Sequence, residues 1–261
     1  MSSTIKTYLI NLEHRLDRRE KALSQLENFP ALDVEVCKAV YGKALSDEEK
    51  TRLMEFSKDR VVMSDGELGC ALSHRKCYEM LLQTNAPYAL ILEDDIIIGD
   101  LFPESLDLAV DTMRQQTSPY VVLFGPRALC SRVARFHSEN VSLHKVYDAT
   151  HTTAYIINRC GAQCMLDKGN PSPIRYVADN WYHFIHKGLN VFSCVPHTIS
   201  FPDEFSCSDL DIERRSMYEH FISGKSAWSL WRRWRDTVNS KRMHLAFCRR
   251  ILCAKEYSKT W

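Results

Sequence analysis

Short apolar segments alternate with stretches of helical periodicity along the first two hundred residues. The segment at 88–92 is apolar throughout, as is typical of a strand that is buried on both faces of a sheet. Apolar runs bounded by turn residues predict the other strands. These lie at residues 5–12, 34–40, 120–124, 141–147, 154–157 and 190–195.

The intervening segments have the spacing of buried positions expected for helices. Ser46 with Glu49 predicts a capping box that opens one short helix. Longer helices are predicted after the first strand to about residue 27, and at 68–82, 103–116, 160–168 and 178–187. Alternating strands and helices indicate an α/β domain with a mostly parallel sheet. No internal repeat or linker divides it, so we expect one catalytic-size domain (1–224) and an appendage (225–261).

The appendage differs from the rest of the chain in charge. The chain carries 34 Lys and Arg against 33 Asp and Glu, whereas residues 225–261 carry ten against two. On a helix, Trp228, Trp231 and Trp234 fall on one arc, and most of the nearby arginines lie opposite. This pattern predicts a helical extension that binds an anionic membrane surface. The alternative is a terminal helix packed on the domain; no nucleic-acid motif accompanies the charge.

The ten cysteines lack the paired short spacings of structural zinc sites. We therefore expect reduced thiols that are mostly buried in a cytosolic protein. No apolar run approaches the length of a membrane span, and the first strand begins too early for a signal peptide.

Three acidic residues, Glu93, Asp94 and Asp95, follow the buried strand at 88–92. Ligands of open α/β sheets bind at the carboxyl ends of the strands. Oxygen ligands favour Mg²⁺ or Mn²⁺, and such an ion would offset the repulsion between the carboxylates. Strand alternation would put Glu93 and Asp95 on one side and Asp94 on the other. A solvated acidic turn is the alternative.

Four segments in chain order resemble glycosyltransferase family 25, which includes bacterial lipooligosaccharide galactosyltransferases and collagen-modifying relatives. They are Tyr-Leu-Ile-Asn-Leu at 8–12, Gly-Glu-Leu-Gly-Cys-Ala-Leu-Ser-His at 66–74, Leu-Glu-Asp-Asp at 92–95 and Thr-Thr-Ala-Tyr-Ile-Ile-Asn at 152–158. Arg15 and Arg18 extend the first match, and weaker matches follow at 177–179 and 206–210. His151 stands where the family usually has Gly.

The resemblance implies a GT-A-like fold, a Mn²⁺ or Mg²⁺ ion, a UDP-sugar donor and inversion at the anomeric carbon. Asp95, with Glu93 or Asp94, would then hold the metal. Asp179 is the candidate base on the acceptor hydroxyl. Its alternative role is the N-cap of the helix that follows.

The other motif residues are candidates for contacts with the donor. Asn11, Leu12 and Arg15 lie at the end of the first strand, where the nucleotide is expected. Gly66 and Gly69 would open a helix whose free N–H groups meet phosphate. Further candidates are Ser73 and His74, which face either the donor or the core; His197, as a metal ligand from a late strand; and Asp203, Glu204 and Ser206, on the acceptor side.

These expectations describe an inverting galactosyltransferase that extends lipooligosaccharide at the cytoplasmic face of a bacterial inner membrane. Within the same class, the alternatives are UDP-glucose or another UDP-hexose as donor, or a protein-linked acceptor. Two other classes stay open at this point. One is a non-catalytic nucleotide- or carbohydrate-binding module, and the other is a metal phosphohydrolase.

Overall fold

The structure is a computed structural model that describes residues 4–54 and 63–202 and the backbone of 254–257. Its strands are β1 (Ile5–Asn11), β2 (Leu32–Lys38), β3 (Tyr88–Glu93), β4 (Ile97–Ile98), β5 (Tyr120–Leu123), β6 (Ala128–His137), β7 (Ser142–Ala149), β8 (Ala154–Asn158), β9 (Asn190–Val195), β10 (Ile199–Ser200) and β11 (Ala254–Tyr257). Its helices are α1 (Leu16–Leu26), α2 (Asp47–Leu53), α3 (Asp65–Gln83), α4 (Phe102–Arg114), α5 (Arg159–Cys164) and α6 (Trp181–His186).

Nine strands form one sheet in the order β11-β6-β7-β9-β5-β8-β3-β1-β2, and β4 pairs with β10 in a separate ribbon. Strands β1, β2, β3, β5, β6 and β9 run in one direction, and β7, β8 and β11 run in the other. The sheet is therefore mixed, with most of its described strands running in one direction, and it is flanked by helices. The predicted α/β class, with the sheet arrangement expected of a GT-A-like fold, is confirmed.

Helices cover both faces of the sheet. Leu90 and Leu92 of β3 belong to a core cluster with residues of α1 and α4. Ala89 and Ile91 point to the opposite face, where α3, α5 and α6 pack. The prediction that β3 is buried on both sides is confirmed.

Two helices begin at capping boxes. Ser46 accepts from the backbone N–H of Glu49 and opens α2, as predicted. Ser64 and Glu67 form a second capping box, so α3 starts at Asp65, three residues before the predicted start. The capping box at Ser64 therefore puts the start of this helix one turn before the predicted position.

The structure also contains elements that the apolar pattern does not predict or predicts with other bounds. Strand β6, the ribbon strands β4 and β10, and the strand β11 were not predicted. The helix expected at 160–168 is α5 followed by a π-helical turn at Met165–Gly169, and α6 is shorter than the expected 178–187. Strand β11 pairs with β6. The rest of 225–261 lies outside the described residues, so the helical extension stays a prediction.

Two observations concern the cysteines and the helices of the described residues. All the described cysteines are free thiols, and most of them are buried. In the same part of the chain, no helix has both the length and the apolar character needed to cross a bilayer.

Candidate active site at the carboxyl ends of β1 and β3

The polar residues after β1 and β3 meet at one edge of the sheet. These strands are parallel neighbours, and Ile10 lies opposite Glu93 in the register. Asn11 and the acidic residues that follow Glu93 therefore lie close together. Helix α1 borders this edge on one face of the sheet and α3 borders it on the other, which positions Arg18 and His74 beside the acids.

Glu93 is held from the α3 side. Its Oε1 lies 3.2 Å from Nε2 of His74 and also accepts a hydrogen bond from the Thr152 hydroxyl. Burial raises the pKa of Glu93, but the hydrogen bonds from His74 and Thr152, with the charge that His74 and His151 carry when protonated, lower it by more than burial raises it. The net pKa is lowered, so Glu93 is anionic at neutral pH.

A buried chain of hydroxyl groups orients His74, which is only 2% exposed. Its Nδ1 lies 2.8 Å from the Tyr155 hydroxyl, which lies 2.8 Å from the Tyr78 hydroxyl. Burial raises the pKa of both phenols, so they stay protonated. A ring proton on Nε2 then donates to Glu93 while Nδ1 accepts from Tyr155, which satisfies every member of the chain.

Asp94 is held from the α1 side. Its carboxylate accepts a hydrogen bond from Asn11 Nδ2 at 2.7 Å, and Arg18 lies 3.4 Å from its second oxygen. Burial raises the pKa of Asp94, and the contacts with Asn11 and Arg18 offset only part of that increase. The same arginine lies 3.6 Å from Asp95 and is therefore shared by two acids.

Of the three carboxylates, Asp95 has the fewest contacts that offset its negative charge. Its Oδ1 is buried and has no hydrogen-bond partner among the described residues, and the same is true of Asn11 Oδ1. Burial, together with the charges of Glu93 and Asp94, raises the pKa of Asp95 to about 7. Oxygen donors with unsatisfied lone pairs beside excess negative charge fit a Mg²⁺ or Mn²⁺ ion. These residues thus suit the metal that the resemblance implies.

The expected strand alternation of the three acids is wrong. Strand β3 ends at Glu93, and Asp94 and Asp95 occupy the turn that follows. Beyond the last strand residue the two-residue side-chain period no longer applies. As a result, Asp94 and Asp95 share Arg18, whereas Glu93 points to the α3 side.

Asp179, the candidate base, is joined to this site through two consecutive residues. Its Oδ2 accepts a hydrogen bond from the backbone N–H of His151 at 3.2 Å, and the next residue, Thr152, binds Glu93. The N-cap of α6 is Asn180, so the alternative capping role of Asp179 is wrong. Nearby, burial and the charge of Asp179 raise the pKa of Asp148, a residue that the sequence analysis did not identify.

His151 adopts a backbone conformation that favours glycine. Its φ is 72°, in the left-handed region, and this is the position where the family usually has Gly. Asp179 accepts from its N–H, and Trp181 Nε1 donates to its carbonyl at 2.9 Å. These two hydrogen bonds hold the turn in place although the residue is not glycine.

Gly69 and Ser73, two of the candidates for contacts with the donor, make packing contacts in the structure. A Cβ on Gly69 would lie 2.5 Å from the carbonyl oxygen of Val40, so this glycine lets α3 pack against the backbone after β2. The buried Ser73 hydroxyl donates to the Gly69 carbonyl at 2.6 Å and accepts from the N–H of Val40 at 2.8 Å. At the start of α3, Ser64 already binds the N–H of Glu67. Both predicted residues therefore have packing roles.

Leu12 and Arg15 form the turn between β1 and α1 at the edge of the site. The N–H of Arg15 donates to the Leu12 carbonyl at 2.8 Å. Asn11 Nδ2 donates to the Arg15 carbonyl at 2.9 Å, so the residue that contacts Asp94 also holds this turn.

The strand register argues against His197 as a ligand of the same ion. In the ribbon, Ile199 lies opposite Ile98 and Ser200 lies opposite Ile97. The antiparallel chain therefore approaches Asp95 after Ser200, and His197 lies at the opposite end of β10. The acceptor-side candidates Asp203, Glu204 and Ser206 lie outside the described residues.

Several contacts of the site were missed by the sequence analysis. Thr152 and Tyr155 lie within the motif at 152–158, and Arg18 lies within the extension of the first motif, but none was assigned a role. Their positions within the motifs were the available signal. Only the packing of α1, α3 and β8 around β3 shows what each of them contacts.

Comparison with known proteins relates the whole site to one family. The family model described as "Glycosyltransferase family 25 (LPS biosynthesis protein)" matches residues 4–180, a range that includes all the site residues from Asn11 to Asp179. A "Glycosyltransferase 25 family member" of Anopheles gambiae is 31% identical over 166 residues, which cover 61% of this chain and 28% of that protein. "Procollagen galactosyltransferase 1" of Danio rerio is 26% identical over 216 residues, covering 73% of this chain and 35% of that protein.

Two further facts limit what can be concluded from these similarities. The chain spans about a sixth to a third of the length of the curated relatives it matches. Among solved structures, the "glycosyltransferase GlyE" of Streptococcus pneumoniae is 11% identical with a TM-score of 0.35, covering 86% of this chain and 66% of that one. The match over residues 4–180 spans more than half of the chain. The chain therefore belongs to glycosyltransferase family 25.

Proposed function

We propose that this chain is a glycosyltransferase. It transfers a hexose, which we propose is galactose, from a UDP-sugar to a hydroxyl group of a glycan, with inversion at the anomeric carbon. The proposal rests on one observation: the three acids Glu93, Asp94 and Asp95 lie close to Asn11 and Arg18. All of them lie at the carboxyl ends of β1 and β3. This is the edge at which ligands of open α/β sheets bind.

In this proposal, Asp95 holds a Mn²⁺ or Mg²⁺ ion together with Glu93 or Asp94. A bound divalent ion would supply Lewis-acid stabilisation of the departing diphosphate. The protein's own contribution is to orient the carboxylates and to keep Glu93 anionic. His74 and Thr152 fix one oxygen of Glu93, and Asn11 fixes Asp94. Arg15 and Arg18 add positive charge at the side of the site where a diphosphate would lie.

Asp179 is the proposed base that accepts the proton of the acceptor hydroxyl. A single displacement with inversion needs such a group on the face opposite the leaving group. The structure supports this role in two respects. The cap of α6 is supplied by Asn180, which leaves the Asp179 carboxylate for other contacts, and the carboxylate is held by the turn that also carries Thr152.

The donor and acceptor are the finer parts of the proposal. Relatives named procollagen galactosyltransferases favour galactose, with UDP-glucose or another UDP-hexose as the alternatives. We propose a lipooligosaccharide acceptor at the cytoplasmic face of a bacterial inner membrane, consistent with the family description. The names of the same relatives favour a protein-linked acceptor as the second candidate.

The test is UDP release from a panel of UDP-sugars, measured with Mn²⁺ and with EDTA, against lipooligosaccharide and protein acceptors. We expect acceptor-dependent release that EDTA abolishes and that Asp95→Ala reduces at least about 100-fold. Asp100→Ala is the matched control, because Asp100 is an exposed acid in the turn after β4.

Three other outcomes would contradict the proposal. Full activity of Asp95→Ala in EDTA would exclude the proposed metal role. Hydrolysis of the UDP-sugar at a rate independent of any acceptor would indicate a phosphohydrolase. UDP binding without turnover of any donor would indicate a non-catalytic module.

A further inference from the structure

Cys70, His74 and Glu93 bring three different ligand atoms together beside the acidic site. Cys70 and His74 are four residues apart on α3 and therefore lie on one face of the helix. Glu93 reaches the same point from the end of β3. One ligand atom from each residue, the Cys70 Sγ, a His74 ring nitrogen and a Glu93 carboxylate oxygen, lies within 4.8 Å of the other two.

The spacing of the His74 and Glu93 ligand atoms suits a tetrahedral zinc ion. Nε2 of His74 and Oε1 of Glu93 are 3.2 Å apart. Two ligands on one tetrahedral Zn²⁺, each with a bond of about 2.0–2.1 Å, are separated by about 3.3 Å. Sulfur, nitrogen and oxygen donors together favour Zn²⁺, whereas Mg²⁺ and Mn²⁺ prefer oxygen-only sets such as the three neighbouring carboxylates.

The hydroxyl group of Tyr155, which is hydrogen-bonded to that of Tyr78, can form a hydrogen bond with either tautomer of the His74 ring. Without zinc, the ring proton lies on Nε2 and donates to Glu93, and Tyr155 donates to Nδ1. If the ring proton lies on Nδ1 instead, it donates to Tyr155, and Tyr155 donates to Tyr78. Nε2 then has a free lone pair for a metal. A second hydrogen bond that fixes the ring is typical of metal-binding histidines.

We propose that Cys70, His74 and Glu93 form a zinc site that inhibits the enzyme. Zinc binding releases the Cys70 thiol proton to solvent and moves the His74 ring proton from Nε2 to Nδ1. It also replaces the His74–Glu93 hydrogen bond with two bonds to the ion. Glu93 is then no longer oriented for the Mn²⁺ or Mg²⁺ site. The inhibitory part rests on the proposed function, whereas zinc binding does not.

Zinc binding is tested directly with Co²⁺, a spectroscopic substitute for zinc, on the full-length protein. We expect thiolate-to-cobalt charge-transfer absorption that Zn²⁺ displaces. Cys70→Ser should lose one equivalent of this absorption, and Cys160→Ser should keep it because Cys160 is exposed on α5. An unchanged cobalt spectrum and stoichiometry in Cys70→Ser would overturn the proposal.

A second measurement uses the wild-type protein, so it does not depend on the folding of a variant. Cys70 is partly exposed and open to alkylation, which peptide mass spectrometry measures residue by residue. One equivalent of Zn²⁺ should slow the alkylation of Cys70 at least about tenfold and leave that of Cys160 unchanged. Equal alkylation rates of Cys70 with and without Zn²⁺ would also overturn the proposal.

Inhibition is measured as UDP release at saturating Mn²⁺ with increasing Zn²⁺. The Zn²⁺ concentration that halves the rate should be about tenfold higher in Cys70→Ser than in Cys160→Ser. Equal inhibition of both variants would refute the inhibitory role. If no form of the protein transfers sugar, the proposed function fails, and the cobalt and alkylation results still decide whether the zinc site exists.

Discussion

Asp95 carries the largest electrostatic strain of the site, so replacing it should stabilise the protein at high pH. Burial, with the charges of Glu93 and Asp94, raises its pKa from 3.8 to about 7. The folded protein therefore binds this proton more tightly than the unfolded chain does. The contribution of Asp95 to the free energy of unfolding falls as the pH rises from about 4 to about 7, and it stays low above that range. Asp95→Asn cannot ionise and avoids this loss.

The size of the effect follows from the shift in pKa. A shift of about three units at about 1.4 kcal/mol each sets an upper bound of about 4 kcal/mol. The side chain is 34% exposed, so solvent screening reduces the expected value to about 2 kcal/mol. We expect Asp95→Asn to exceed the wild type by about this amount at pH 8 and to differ from it by less than about 0.5 kcal/mol at pH 4.

Urea unfolding in EDTA at pH 4 and pH 8 measures this difference, with Asp100→Asn as the exposed control. Adding Mn²⁺ at pH 8 should then stabilise the wild type more than Asp95→Asn, because the ion offsets the negative charge that the variant has lost. If Asp95→Asn is no more stable than the wild type at pH 8, Asp95 is not under electrostatic strain in the fold. In that case the argument for a cation based on its uncompensated charge fails as well.

Three further predictions concern other parts of the chain. Asp179→Asn keeps an oxygen that accepts from the N–H of His151, so UDP affinity should stay within about twofold while turnover falls about 10²–10⁴-fold; near-normal turnover would show that the base is another residue. His151→Gly should raise the free energy of unfolding by up to about 1 kcal/mol because glycine adopts a positive φ without steric cost, whereas His151→Ala should not raise it. Equal stability of the two variants in urea unfolding would contradict this prediction. Replacing Arg232, Arg233 and Arg235 with Gln should weaken binding to anionic liposomes by about 1 kcal/mol per charge, and unchanged co-sedimentation would refute the membrane role of 225–261.

The elements that could be predicted from sequence are those whose local pattern matches their environment. Strand β3 is apolar throughout because both of its faces are covered, and α2 begins at a capping box that only local residues form. Strand β6 was not predicted because much of it is exposed, with Val133 76% exposed, and its sequence lacks the pattern of a buried strand. Pairing with the distant β11 and with β7 stabilises it, and no local pattern encodes that pairing.

For the candidate site, too, some features could be predicted from the sequence and others could not. The acids at 93–95, Asn11, His74 and Asp179 could be identified because each lies in a motif at the end of an element. What each residue contacts could not be predicted, since the contacts depend on how distant elements cross. Gly69 illustrates the difference: a glycine near the start of a helix suggests a phosphate site, but the close approach of Val40 makes it a packing position.

The turn at residues 151 and 152 explains why this family position favours glycine and what a histidine adds there. The backbone must direct the N–H of His151 toward Asp179 while the next side chain, Thr152, reaches Glu93. A positive φ at residue 151 is the conformation in which both contacts are made, and glycine adopts it at no steric cost. A histidine at this position costs stability, but its imidazole packs against Phe201, and when it is charged it lowers the pKa of Glu93. The substitution therefore adds a titratable group to the site, and the ionisation of Glu93 is favoured further when that group carries a proton.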